Sequence, residues 1–331
     1  MSHSNSSLNC FTACERKYYY AYIKQVKPDV PPSPHLTFGT MAHEVLEKAG
    51  NLRDNCDADI SDYNICIPSE LQYPELKNYF GIKNWQVYFT LVCKQVAEYE
   101  RELCKEYDSP TIERELKLAL TPAELAYSGF VYENEATQPL VGVIDLLIYT
   151  DNAATIVDYK FSTKKKTQDD FDMNSQLYLY ALLVHKTYNI PLRNIRIAYI
   201  DIPKQDFAMP ILLTNGTLSR AKTQNTLQSM YIAAVQALHP DDWQQQIAEG
   251  GYYYDIVNEL ALNKAAYLQC QYLDIDAYNH IIPELLATLR RIELINSNNL
   301  PWLTRYDAYT CKSCEYLHTC KTWLNVNNKE E

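Results

Sequence analysis

The stretch "PLVGVIDLLIYT" (139–150), followed by "DNAA" (151–154) and "TIVDYKFS" (155–162), decides how this chain is read. Two apolar runs separated by a short polar turn predict a β-hairpin. The first run carries Asp145 and the second Asp158, with Lys160 two residues further on. Side chains alternate across a strand, so Asp158 and Lys160 point the same way. A turn centred on Asp151 and Asn152 sets Asp145 opposite Asp158. Two facing carboxylates repel unless a cation lies between them. Oxygen donors of this kind suit Mg²⁺ or Mn²⁺, an ion that activates water and neutralises phosphoryl charge, and a neighbouring lysine can orient the attacking water. A lone D-x-K is common and reads as a surface ion pair. The apolar flanks "VGVI", "LLIY" and "TIV" are what turn these residues into candidates for a buried site.

Outward from the hairpin, "TIERELKLAL" (111–120) alternates Ile112, Arg114, Leu116, Leu118 and Leu120 against Glu113, Glu115 and Lys117, which predicts another strand. Helical spacing runs from Ser7 to Val26 and stops at Pro28, Pro31, Pro32 and Pro34. It resumes over Thr37 to Ala49, carrying His43, and over Asn84 to Tyr107, with residues 50–82 irregular between them. A helix over Met173 to Tyr188 follows the hairpin, then strands near Ile195 to Ile200 and Ala208 to Leu213. Residues 218–298 read as mostly helical. The chain thus divides into N-terminal helices (1–49), a helical insert (50–109), an α/β core (110–214), a helical region (215–300) and a C-terminal cysteine segment (301–331), within one cooperative unit.

Of 331 residues, 47% are apolar and 21% charged, the balance of a folded chain. The net charge of −11 argues against a surface that binds nucleic acid indiscriminately, and leaves room for a local basic groove near Arg16, Lys17, Lys24 and Lys27 or at Lys164, Lys165 and Lys166. Eight glycines with no glycine-rich phosphate loop exclude a P-loop or dinucleotide-binding domain. No run approaches the roughly 20 apolar residues of a membrane span, and the first residues lack a signal core, so a cytoplasmic protein without a membrane partner is expected. Ten cysteines there stay reduced. Cys311, Cys314 and Cys320 crowd into "CKSCEYLHTC", which predicts a metal site short of one ligand. That ligand lies among Cys10, Cys14, Cys56, Cys66, Cys93, Cys104, Cys270 and His318, and spacing alone permits zinc or an iron–sulfur cluster.

The hairpin residues Gly142-Val143-Ile144-Asp145 and Asp158-Tyr159-Lys160, the helix "FGTMAHEVLE" with His43, and "QLYLY" with Gln176 and Tyr180 occur in one order over residues 37–180. Together they resemble the PD-(D/E)xK nuclease superfamily, in its RecB-type branch. The resemblance implies a restriction-endonuclease-like mixed sheet flanked by helices, with helical insertions. It implies that His43, Asp145, Asp158 and the Tyr159 carbonyl hold the ion, that Lys160 is catalytic, and that Gln176 and Tyr180 support the site or the DNA. Glu113 is a further candidate, with Glu115, read as sharing its face, as the alternative. Members of this branch that act in CRISPR adaptation or with helicases also carry one N-terminal and three C-terminal cysteines around a 4Fe-4S cluster. Matching "SLNCFTACERKYYYAYI" to their N-terminal motif implies Cys14 as the partner of Cys311, Cys314 and Cys320, with Cys10 as the alternative, and a clasp between the two ends of the chain.

The expected activity is hydrolysis of DNA, as an exonuclease on single-stranded ends, in recombination, repair, phage DNA processing or CRISPR adaptation. Unwinding would come from a helicase, CRISPR-adaptation or phage replication partner. The rival expectations are an inactive DNA-binding or assembly subunit, and a zinc-stabilised interaction protein.

Overall fold

The computed structural model describes residues 2–55, 81–126, 138–163, 167–219, 225–304 and 307–320. The hairpin forms as its pattern requires. Strands β2 (Leu140–Tyr149) and β3 (Ala154–Ser162) pair antiparallel, with Tyr149 opposite Ala154 and Leu146 opposite Val157. The Thr150 N–H donates to the Ala153 carbonyl at 2.9 Å to close the turn. This register puts positions 145 and 158 one step past the last paired residues.

Around the hairpin the sheet is mixed. β1 (Thr111–Leu120) runs antiparallel to β2, β4 (Ile195–Pro203) runs parallel to β3, and β5 (Tyr267–Tyr272) runs antiparallel to β4, so spatial order follows chain order. β3 and β4 lie in the middle and are buried almost throughout, which is why they read as near-continuous apolar runs rather than alternating ones. Their parallel pairing needs a helical crossover.

Helices cover both faces. On one face, α1 (Asn5–Ala13), α2 (Glu15–Tyr18, continuing as a π-helical turn over Tyr19–Ile23), α7 (Ser175–Tyr188) and α11 (Ile275–Ser297) bury Leu8, Tyr18, Leu179 and Leu286 against Ile144 and Leu147. On the other, α3 (Pro34–Asn55) and α4 (Trp85–Cys104) bury Phe38, Val45 and Phe89 against Leu146, Val157 and Ile200. Short helices α5 (Pro122–Ala126) and α6 (Gln168–Asp172) lie between strands. A satellite cluster of Tyr231, Val235 and Tyr253 sits among α8 (Gln228–Leu238), α9 (Trp243–Ile247) and α10 (Tyr254–Glu259). The last element among the described residues is α12 (Ala308–Lys312). Among the described residues, no helix is long and apolar enough to cross a membrane.

The structure departs from the sequence pattern in several places. The helix expected over Ser7 to Val26 is broken at Cys14, whose backbone is extended (φ −162°, ψ 112°). No ladder strand forms over Ala208 to Leu213. That segment makes one isolated bridge, Leu212 to Leu218, around an Asn215-Gly216 turn. β5 arises instead within the stretch read as helical. Residues 56–80 of the insert, the Lys164–Lys166 run, and residues 321–331 lie outside the described residues.

Candidate active site

Helix α3 brings His43 over the point where β2 and β3 stop pairing. His43 Nδ1 lies 3.2 Å from Asp145 Oδ1, and the Tyr159 N–H donates to Asp145 Oδ2 at 2.8 Å. Asp145 therefore takes, through its side chain, the backbone donor that the opened ladder leaves unpaired. Asp158 lies beneath, only 2% exposed, with Lys160 Nζ 2.6 Å from its Oδ2. That approach is an ion pair without hydrogen-bond alignment, so the buried oxygen keeps a lone pair with no directed partner. Lys160 instead donates to Gln176 Oε1 at 2.9 Å, and Gln176 Nε2 donates to the Tyr180 hydroxyl at 2.5 Å. The Asn174 side chain caps α7 by accepting from the Gln176 and Leu177 N–H groups, which sets where Gln176 emerges. His43, Asp145, Tyr159, Lys160 and Gln176 line one cavity of about 730 Å³.

The charges are mutually dependent. Burial pushes the Asp158 carboxyl up to about 6; the Lys160 charge works against this and the Asp145 charge with it. Burial pulls the His43 imidazole down, but its hydrogen bond to Asp145 and the charges of Asp145 and Asp158 outweigh that and hold it above its usual range. Two carboxylates and an imidazole are the donor types that a small hard cation takes. Among the described residues no three His, Cys, Asp or Glu side chains are gathered closely enough to hold an ion as they stand.

A buried polar network holds the site from behind. The Tyr159 hydroxyl donates to Glu100 of α4. Arg114 donates to Glu100 (2.7 Å) and to Asp54 of α3 (2.6 Å), and Arg53 also pairs with Glu100. Burial alone would lower the Arg114 guanidinium, and the Glu100 charge with the bonds to Asp54 and Glu100 more than reverses it. Three elements, α3, α4 and β1, are thereby tied to the residue between Asp158 and Lys160. Gly142 serves the opposite face. A Cβ there would lie 2.6 Å from Leu183 Cδ1 and 2.8 Å from Tyr180 Cε1, so glycine allows α7, with Gln176 and Tyr180, to lie close against β2.

Alternation along β1 breaks at Glu115, whose φ of 48° is in the left-handed region. Leu116, Leu118 and Leu120 pack on the α7 face, whereas Arg114 turns to the α3 face. β2 breaks opposite it: Ile144 faces α7, while Asp145 and Leu146 both face α3. Glu113 and Glu115 therefore do not share a face, correcting the alternating reading. Glu113 accepts from the Tyr149 and Tyr188 hydroxyls at 2.6 and 3.3 Å and is not brought to the cavity. Glu115 lines it, beside Glu47, whose carboxyl is raised by burial and by the charge and hydrogen bond of Glu115. No local sequence signal marks a left-handed glutamate in a strand, so Glu115 was reachable only as an alternative.

A second pocket collects Cys14, Cys311, Cys314 and Cys320, with Arg16, Lys17 and Tyr20 at its edge. Cys10 is not among its lining residues, and burial pushes the Cys10 thiol up to about 11. Ordinary bonds already join the chain ends here. Asp29 accepts from the His318 and Thr319 N–H groups at 2.8 and 3.1 Å, and Glu15 accepts from the Leu303 N–H at 2.9 Å.

A family model described as the PD-(D/E)XK nuclease superfamily matches residues 2–321. No curated protein matches the chain. Among solved structures, a candidate exonuclease from Eubacterium rectale is 13% identical with a TM-score of 0.45, over 96% of this chain and 87% of that one. A second, SSO0001, is 11% identical with a TM-score of 0.26, over 86% of this chain and 96% of that one.

Proposed function

The chain belongs to the PD-(D/E)XK nuclease superfamily, and from that premise we propose that it is an exonuclease that hydrolyses DNA from single-stranded ends using Mg²⁺ or Mn²⁺. The observation that carries the reading is the convergence of His43, Asp145, Lys160 and Gln176 on one cavity above a fully buried Asp158. His43, Asp145, Asp158 and the Tyr159 carbonyl would hold the ion. When bound, the ion supplies charge neutralisation at the phosphate and lowers the pKa of a water. Lys160 orients that water and offers an N–H to the oxygen on which charge develops. Gln176 accepts from Lys160 and so fixes the ammonium's direction, and Tyr180 holds Gln176 in turn.

In the same reading, Cys14, Cys311, Cys314 and Cys320 hold a 4Fe-4S cluster that reinforces the clasp between the chain ends. Four thiol donors on one pocket edged by Arg16 and Lys17 suit a cluster of net negative charge. Recombination, repair, phage DNA processing and CRISPR adaptation are the settings such an activity suits, with a helicase or another partner supplying single strands.

The test is direct. Anaerobically purified protein should degrade end-labelled single-stranded DNA with Mn²⁺, and Asp158→Ala and Lys160→Ala should not. Equal cleavage by both variants would sink the assignment, and binding without cleavage by the wild type would favour a non-catalytic DNA-binding subunit.

A further inference from the structure

Helix α3 contains two glycines with opposite surroundings. A Cβ at Gly50 would lie 2.4 Å from Arg114 Cζ, so packing accounts for that glycine. At Gly39 a Cβ would meet no atom within 4 Å. Glycine inside a helix is less stable than alanine, and neither neighbours nor a positive φ explain it at this position. Gly39 lies on the cavity wall, one turn from His35 and one turn from His43, about 6 Å along the helix axis from each. It leaves a patch of bare backbone beside the proposed metal ligands.

Across from it lies Lys204, which follows β4 directly. Its N–H donates to the Ser162 carbonyl at 2.8 Å, and its Nζ lies 5.3 Å from the centre of the Phe38 ring. His35 and Lys204 share this lip of the cavity, while Glu44, Glu47 and Glu115 also line it. Burial lowers the Lys204 ammonium, and burial with the nearby Lys204 charge lowers the His35 imidazole. A lysine ammonium and an imidazole N–H on one lip of a cavity are donors that suit a phosphate oxygen.

We propose that His35, Gly39 and Lys204 form a cradle for the phosphodiester adjoining the one that is cut, with Gly39 kept bare so that the strand's backbone can lie against the helix. This inference rests on the nuclease reading and assigns its substrate path: along the Lys204 lip, past Gly39, to Lys160, away from Glu47 and Glu115.

Binding of a fluorescent single-stranded oligothymidylate, measured in EDTA over a salt series, tests it apart from cleavage. Lys204→Ala should flatten the slope of log affinity against log salt by about 0.7, the share of one phosphate on a single strand. Lys186→Ala, in a separate cavity between α7 and α11, should leave the slope unchanged. Gly39→Ala should raise Tm by about 1–3 °C through helix propensity while weakening binding several-fold, and Gly39→Leu should weaken it further. A merely structural glycine would not gain stability and lose affinity together. An unchanged slope for Lys204→Ala, wild-type affinity for both Gly39 variants, or no binding by the wild type overturns the cradle. Salt-dependent binding that responds to these variants, in a protein that does not cut, keeps the cradle and removes the nuclease assignment.

Discussion

Tyr159 donates its hydroxyl hydrogen to Glu100, so the residue between Asp158 and Lys160 is anchored to a helix from outside the sheet. Glu100 is shared by Arg114 and Arg53, so removing Arg114 leaves two carboxylates, Glu100 and Asp54, against the single charge of Arg53 in a largely desolvated network. Arg114→Met is therefore expected to lower stability by about 3–5 kcal/mol in a urea titration. Tyr159→Phe, which removes one hydrogen bond and no charge, should cost about 1–3 kcal/mol.

Asp158 carries an opposite expectation. Its folded carboxyl sits near 6 against an ordinary 3.8. The folded state thus holds a proton that the unfolded state has released between those values, and the charged form opposes folding fully above pH 6. Asp158→Asn should raise the Tm of metal-free protein at pH 8, by up to about 3 kcal/mol in stability. The gain should vanish near pH 4, while cleavage is abolished at every pH. Calorimetry of the two proteins across this range checks the sign. Wild-type cleavage should also fall below pH 6, as protons compete with the ion for Asp158.

His3 is buried, its imidazole pulled down to about 4 by burial and by the N-terminal charge. It bridges to Leu140 of β2 and meets the Tyr18 hydroxyl at 3.3 Å. A histidine buried neutral contributes fully above its unfolded pKa of 6.5, and that contribution is lost as pH falls towards 4. The wild type should lose roughly 2–3 kcal/mol more than His3→Gln over this window, read from Tm against pH.

Cys14 and Cys10 separate by metal content. Cys14→Ser should purify without iron and with a lowered Tm, whereas Cys10→Ser should keep its iron. The reverse result would move the ligand one helical turn, and zinc in the wild type would replace the cluster.

Gly142→Val should force α7 away from β2, because Leu183 and Tyr180 already occupy the space a side chain would need. A cost of about 1–3 kcal/mol is expected from overpacking. A larger fall in kcat than in stability would show that the displaced Gln176 no longer holds Lys160.

The hairpin register was legible because two apolar strands joined by a short turn have one pairing that buries both, and this pairing brings Asp145 to Asp158. His43, Lys160 and Gln176 were legible because each sits on a regular helix or strand with a clear period. The faces of β1 were not, since one left-handed residue, Glu115, reverses the alternation without leaving a mark in residue type. β5 was missed because "YLQCQY" is short and half polar, within a region of helical periodicity. The Arg114 network was illegible for another reason. Its partners Asp54 and Glu100 come from separate helices, and no local pattern links them.

The bonds from Asp29 to His318 and Thr319 span 289 and 290 positions of the chain. Loop-closure entropy grows only with the logarithm of loop length, so lengthening the surface loops between these two partners should leave the stability of the clasp nearly unchanged.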